Sequence, residues 1–171
     1  MPHPPIPSPS IRWAQPGDLD ALVRLEQVCF SGDRLSRRSF RHLLRHGHAL
    51  ILVASCESGL AGYTLLLLRR GLSHGRIYSL AVDPAWRGGG VGRRLLDALE
   101  TEARSRNLAA LRLEVRADND AALGLYRAAG YGLLGHRPDY YADHCAAWRM
   151  EKPLTAHSTP PATPSSGELQ P

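Results

Sequence analysis

The sequence predicts an α/β fold of the α+β kind: one mixed, mostly antiparallel sheet of six to seven strands flanked by about four helices. Three observations carry this. Apolar runs at 49–56 and 60–69 are joined only by Glu57-Ser58-Gly59, which forces an antiparallel hairpin. Strands at 76–82 and 111–116 are separated by a long amphipathic stretch, the arrangement of a β-α-β crossover. The 171 residues, 43% hydrophobic and 22% charged, fit a single core that needs no disulfide or metal staple.

The elements follow in order. Residues 11–13 read as a short strand. Asp18 is placed to cap a helix running to about Val28, with Leu19, Leu22, Val23 and Leu25 on its apolar face. Ser36 is placed to cap a second helix to about Arg45, with Phe40, Leu43 and Leu44 inward. After the hairpin and strand 76–82 comes a helix over 90–106, with Leu95, Leu96 and Leu99 on one side. Residues 111–116 alternate strictly and form a strand. A helix over 119–129 is closed by Gly130, and strands 131–137 and 144–151 end the fold. The folded domain is therefore expected over 11–152. Residues 1–10, with five prolines and no charge, and 153–171, rich in Pro, Ser and Thr, are expected to be disordered.

Composition excludes several classes. No window approaches the ~18 apolar residues of a membrane helix. The first ten residues lack the charged and apolar regions of a secretory signal. Cys29, Cys56 and Cys145 are odd in number and lack metal or redox spacing, as expected of free thiols in a reducing cytoplasm. His42 and His46 stand one helical turn apart, but Leu43 occupies the place where a zincin helix has Glu, so no metal site is expected. The formal charge of +5 comes from 21 basic residues, of which only Lys152 is lysine. The arginines are scattered and form no stripe, so the charge reads as compositional bias and no nucleic-acid or membrane partner is expected.

The most informative segment runs Leu80-Ala81-Val82-Asp83-Pro84-Ala85-Trp86-Arg87-Gly88-Gly89-Gly90-Val91-Gly92-Arg93. A strand ends at Val82, Pro84 breaks it, and a glycine cluster opens a helix. The first helical turn leaves N–H groups unpaired, the helix dipole adds positive charge, and glycine lets an anion approach the backbone. Arg87 and Arg93 add full charges. The segment lacks the Lys-Ser/Thr of a P-loop and the third glycine of a dinucleotide fingerprint. Downstream, Glu114 shares a strand face with Arg112 and Arg116, where a carboxylate could take a proton from an ammonium nucleophile. An ordinary solvated carboxylate fits the same pattern, as a core aromatic fits Tyr126 and a helix cap fits Asn119.

Arg87-Gly88-Gly89-Gly90-Val91-Gly92 matches R-x-x-G-x-G and resembles the GCN5-related N-acetyltransferase (GNAT) superfamily. Leu113-Glu114-Val115-Arg116 with Asn119, Ala122, Leu125, Tyr126, Gly130 and Tyr131 is similar to the RimI-type ribosomal-protein-alanine N-acetyltransferases. The resemblance spans 11–152 and is strongest over 78–141. It implies a GNAT fold with acetyl-CoA as cosubstrate and no metal. The pyrophosphate would lie in the loop of Arg87, Gly88, Gly89, Gly90, Val91, Gly92 and Arg93, and the pantetheine arm along Leu80, Ala81 and Val82. It further implies Glu114 as proton acceptor, Tyr126 as proton donor to the departing thiolate and Asn119 as a contact to acetyl-CoA. A phenol, with a pKa of about 10, still holds its proton where a thiol has lost its own. Arg137-Pro138-Asp139-Tyr140-Tyr141 would border the acceptor.

The chain departs from the RimI type after the first helix, where Cys29-Phe30-Ser31-Gly32-Asp33-Arg34 replaces a Pro-Trp-Ser-like element. That loop shapes the acceptor pocket, so the acceptor stays open. A peptide or protein amine, an N-terminal α-amine or Lys and conceivably on a ribosomal protein, is the expected acceptor. A small amine such as an antibiotic or polyamine is the alternative, as is a non-catalytic acyl-CoA-binding module. The expected protein is cytoplasmic and a monomer or homodimer.

Overall fold

The computed structural model describes residues 7–154. The alternating apolar runs form seven strands: β1 (Ser10–Trp13), β2 (Ala49–Cys56), β3 (Gly59–Leu67), β4 (His74–Val82), β5 (Ala110–Arg116), β6 (Gly132–Arg137) and β7 (Ala147–Pro153). Four helices accompany them: α1 (Leu19–Cys29), α2 (Arg37–Leu43), α3 (Val91–Ser105) and α4 (Asp120–Ala128). The sheet order is β1-β2-β3-β4-β5-β7-β6, and only β4 and β5 run parallel. The mixed sheet with four helices is the architecture expected from the sequence.

Each face of the sheet carries its own apolar cluster. Leu22 and Leu25 of α1 and Phe40 of α2 pack on Ile51, Val53, Tyr63 and Leu65. On the opposite face Leu95, Leu96 and Leu99 of α3 and Leu123 and Tyr126 of α4 pack on Leu66, Ile77, Leu111 and Leu113. The strict alternation of β5 produces this division, because Leu111, Leu113 and Val115 are buried while their neighbours are half-exposed.

Several boundaries differ from expectation. Asp18 does not cap α1 with its side chain. It ends a 3-10 turn over Pro16–Asp18, and its carboxylate accepts from the Gln15 N–H at 2.7 Å and from Arg12 at 2.8 and 2.9 Å. The paired Arg12 guanidinium holds the Asp18 carboxyl below its ordinary range. Ser36 does cap α2, accepting from the Ser39 N–H at 3.1 Å. The last strand starts at Ala147, because His144 adopts φ 65° and the N–H groups of Tyr140 and Tyr141 turn back to the Cys145 carbonyl. The fold also reaches past 152: Pro153 pairs with Ala110, and the Leu154 N–H donates to the Ala109 carbonyl at 2.8 Å. Ser10 lies on β1, opposite Ser55. The expected disorder of residues 1–6 and 155–171 lies outside the described residues.

The one lysine has a structural place. Lys152 reaches Glu100 at 2.8 Å, and the Glu100 side chain is 4% exposed. The Tyr131 hydroxyl donates to the same carboxylate at 3.1 Å. Burying a carboxylate is costly unless partners of this kind pair with it.

Candidate active site

The site arises where two parallel neighbours part. β4 and β5 pair only from His74 with Ala110 to Ile77 with Leu113, and beyond that point no strand among the described residues covers the facing edge of β4. Tyr78 forms a bulge in β4, because Leu66 pairs with Ile77 while Leu65 pairs with Ser79. A cleft of about 980 Å³ opens between the separated strands. Its walls carry Leu80 of β4, Glu114 of β5, Asn119 and Tyr126 of α4, Phe30 of the α1–α2 loop and Tyr140 of the β6–β7 loop.

Glu114 stands half-buried on one wall, its side chain 16% exposed. Its Oε2 accepts from Nε of Arg76 at 3.0 Å, and the same guanidinium donates to the Tyr140 hydroxyl at 3.0 Å. Oε1 takes no hydrogen bond among the described residues, so one carboxylate oxygen is anchored and the other is available. Arg76 lies across the β4–β5 junction, too distant in sequence for local pattern to connect it with Glu114.

Tyr126 is buried on α4, with its ring edge-on to Tyr131 at 5.5 Å. Its hydroxyl has no hydrogen-bond partner among the described residues. Burial, reinforced by Tyr141 nearby, raises its pKa and keeps the phenol protonated at neutral pH. Asn119 does cap α4, accepting from the Ala122 N–H at 3.1 Å through Oδ1, which leaves its amide N–H₂ unused by the cap.

A second carboxylate, Glu26, escaped the sequence reading. It lies on α1, 2% exposed, and also lines the cleft. Both its oxygens are engaged, one by the Tyr63 hydroxyl and the other by the Leu35 N–H at 2.9 Å. Burial raises its pKa. Glu26 thus ties the α1–α2 loop to the sheet, and it lacks the free oxygen that Glu114 keeps. Its position on α1 beside Leu25 gave no sequence signal beyond a charge adjoining an apolar stripe.

The glycine turn lies past the end of β4 and is not part of the cleft wall. Asp83 shapes its entry, accepting from the Ala85 N–H at 2.9 Å and from Arg24 of α1 at 3.1 Å. Gly88 and Gly90 take φ of 80° and 81°, the left-handed region, and Gly90 is the N-cap of α3. Among the described residues, no backbone N–H from 88 to 93 finds a backbone acceptor of ordinary geometry. The row of unpaired donors at a helix start suits a pyrophosphate. Gly92 joins this turn to the cleft, its Cβ position 3.5 Å from Val82 and Leu125 and 3.6 Å from Leu80. Arg87 folds back to the Val82 carbonyl at 3.1 Å, and Arg93 pairs with Asp97 at 3.0 Å.

Of the three strand residues, Ala81 differs from its neighbours. The Asp83 N–H donates to Ala61 of β3, so alternation turns the backbone of Ala81 toward β3 and that of Leu80 and Val82 to the open edge. Ala81 is buried as a core residue on the α1 face.

Residues 19–131 match the acetyltransferase (GNAT) family. The chain belongs to that family. It is 37% identical over 127 residues to the N-alpha-acetyltransferase RimI of Mycobacterium tuberculosis, covering 72% of this chain and 78% of that protein. It is 38% identical over 132 residues to an uncharacterised Mycobacterium leprae protein, covering 74% of this chain and 35% of that one. The chain therefore spans about a third of the latter's length. The ribosomal-protein-S18-alanine N-acetyltransferase of Escherichia coli superposes with a TM-score of 0.78 at 28% identity, covering 88% of this chain and 96% of that one. The GNAT family uses acetyl-CoA, and the unpaired donors of the glycine turn and the open edge of β4 fit its pyrophosphate and its amide-bearing arm. Among the described residues no helix is long and apolar enough to cross a membrane.

Gly90→Val forces a β-branched residue into the left-handed region, which costs about 1–2 kcal/mol or more. The expected result is a rise in KM for acetyl-CoA of roughly tenfold with a much smaller change in kcat, measured by thiol release. An unchanged KM would show that the turn does not cradle the phosphates.

Proposed function

We propose that this protein is an acetyl-CoA-dependent N-acetyltransferase acting on the N-terminal α-amine of a peptide or protein. One observation carries the reading: Glu114 and Tyr126 line a single cleft beside the open edge of β4, with the donor-rich glycine turn beyond it. The names of the relatives support a protein α-amine as acceptor, and for the Escherichia coli protein that acceptor belongs to a ribosomal protein.

Acetyl-CoA supplies an activated thioester. The chain's residues supply position and proton transfer. An α-amine, with a pKa of about 7.7–8.0, is mostly ammonium at neutral pH and must lose a proton before it attacks. Oε1 of Glu114 accepts that proton directly or through one water, while Arg76 holds Oε2 still. Backbone N–H groups of Leu80 and Val82 on the open edge are placed to polarise the thioester carbonyl. The Tyr126 hydroxyl gives its proton to the departing sulfur. Burial lifts the phenol's pKa, but it disfavours a thiolate in the same surroundings as well, so the donor stays matched to its acceptor. The amide of Asn119 is free to hold acetyl-CoA at the α4 end of the cleft.

Peptides with free and with blocked N-termini, offered beside polyamines and aminoglycosides, test the acceptor by thiol release. Turnover restricted to free α-amines of peptides is expected; turnover of small amines alone would overturn the reading. Tyr126→Phe tests the donor. It is expected to lower kcat by about 10²-fold with little change in KM for acetyl-CoA or in Tm, since the hydroxyl has no partner to lose. Full turnover in Tyr126→Phe would remove Tyr126 from the reaction.

A further inference from the structure

Two arginines of the sheet hold the β6–β7 loop, and one of them also holds Glu114. Arg116 stands on β5 two residues after Glu114, on the same strand face. Its Nε and Nη2 each donate to Asp118 at 3.1 Å, and its Nη1 and Nη2 donate to Asp143 of the loop at 3.2 and 2.6 Å. Its guanidinium carbon lies 4.8 Å from the centroid of the Tyr141 ring. Arg76 of β4 meets the same loop at the Tyr140 hydroxyl and meets Glu114 through Nε, both at 3.0 Å. We infer that Arg116 is a positioning residue for the general base: it sets the loop, Tyr140 of the loop sets Arg76, and Arg76 sets Glu114. The inference rests on the role proposed above for Glu114 and adds the support that the role needs.

The loop transmits position because it closes on itself. The N–H groups of Tyr140 and Tyr141 both donate to the Cys145 carbonyl, at 3.2 and 3.1 Å, and the His144 N–H donates to the Tyr141 carbonyl at 2.9 Å. The Cys145 N–H donates in turn to Oδ1 of Asp143 at 3.1 Å. Asp139 and His144 take φ of 50° and 65°, a region that non-glycine residues hold where surrounding contacts fix them. Residues 139–145 therefore move as one unit, and anchoring Asp143 anchors Tyr140.

An isolated surface ion pair fixes little, but a guanidinium forked between two carboxylates fixes both distance and orientation. Hydrogen bonds from Arg116 hold the carboxyls of Asp118 and Asp143 below their ordinary range, so both remain charged at neutral pH. Arg76 is a long side chain, 43% exposed, and its grip steadies Oε2 of Glu114 only where its own guanidinium is held. The Tyr140 hydroxyl supplies that hold, with the Tyr78 ring centroid 5.5 Å away as a further contact. Arg116→Lys keeps the charge and loses the fork.

The test uses the full chain and thiol release with one acceptor peptide, and compares Arg116→Lys, Asp143→Asn and Tyr140→Phe. Each is expected to lower kcat by roughly tenfold, since a displacement of about 1 Å in a catalytic group can cost about 10²-fold. KM for acetyl-CoA is expected to stay within about twofold of wild type. Arg116→Lys with Tyr140→Phe is expected to lower kcat no further than either alone, because both interrupt one path. With Glu114→Gln in place, Arg116→Lys is expected to leave kcat where Glu114→Gln has set it. Multiplied effects in the Arg116→Lys, Tyr140→Phe pair overturn the path from Arg116 to Arg76. A further fall in kcat on the Glu114→Gln background overturns action on the base, as does a rise in KM for the acceptor with kcat unchanged. Either result leaves Glu114 as the base if Glu114→Gln alone is slow. Full turnover in Glu114→Gln overturns the base reading and the positioning role with it. Should Arg116→Lys not fold, Asp143→Asn, a change to an exposed loop carboxylate, decides alone: full kcat there overturns the proposal.

Discussion

Glu114→Gln is expected to lower kcat at pH 7 by about 10²–10⁴-fold, the usual contribution of a positioned general base. The substitution keeps the shape of the side chain and still offers an oxygen to Arg76, whose Nε donates to Glu114 at 3.0 Å. The fold and the binding of acetyl-CoA should therefore survive, with KM for acetyl-CoA changed by less than about twofold. The pH dependence separates loss of the base from general damage. An α-amine with a pKa of about 7.7–8.0 loses its own proton as pH rises, so the base matters less there. The ratio of wild-type to variant kcat/KM is expected to narrow steadily from pH 6.5 to 9.5. A constant ratio across that range would mean that Glu114 positions the acceptor and does not take its proton. The parallel variant Glu26→Gln should behave differently. Both oxygens of Glu26 already hold partners, one of them the Leu35 N–H at the end of the α1–α2 loop. Its expected effect is on KM for the acceptor.

The features legible in the sequence were those encoded over short stretches. The alternation of 111–116 gave the faces of β5, and the run of glycines after Pro84 gave the donor-rich turn. The Ser36 cap and the hairpin at Gly59 were local too. What escaped depends on pairing between distant segments. Arg76 and Glu114 meet only because β4 and β5 run parallel with Ile77 opposite Leu113. The backbone of Ala81 faces β3 because of a register that the strand's own residues do not specify. Asp18 has the residue type of a helix cap, yet Arg12 claims its carboxylate from the neighbouring strand. A capping preference worth about 1 kcal/mol yields readily to a two-point ion pair of ideal geometry. The position of Glu26 is of the same kind, since the Tyr63 hydroxyl that receives it comes from the middle of the sheet. The separation of β4 from β5 belongs here as well, because it depends on where pairing stops. The roles proposed for Glu114 and Tyr126 rest on motif resemblance and on their lining one cleft.

Gly62→Ala is expected to lower Tm by roughly 5–10 °C and to raise KM for acetyl-CoA, linking the core to the open edge of β4. A Cβ at Gly62 would lie 2.6 Å from the Ala81 carbonyl oxygen and 3.2 Å from Leu95 of α3. The oxygen belongs to a backbone paired within the sheet, so it cannot rotate away as a side chain would. Relief requires β4 to shift or α3 to lift, and overpacking of this kind costs about 1–3 kcal/mol. Leu80 and Val82, which present the open edge, flank the displaced Ala81. The strain therefore reaches the site as well as the core. Gly124→Ala is the control, since its Cβ meets nothing within 4 Å on α4. Removing a glycine from a helix interior should stabilise by about 0.5–1 kcal/mol, with Tm unchanged or slightly raised. Thermal unfolding and acetyl-CoA titration of both variants distinguish the cases. An equal fall in Tm for the two would remove the close approach of Ala81 as the cause. A fall at Gly62 without a change in KM would show that β3 yields and the edge of β4 stays in place.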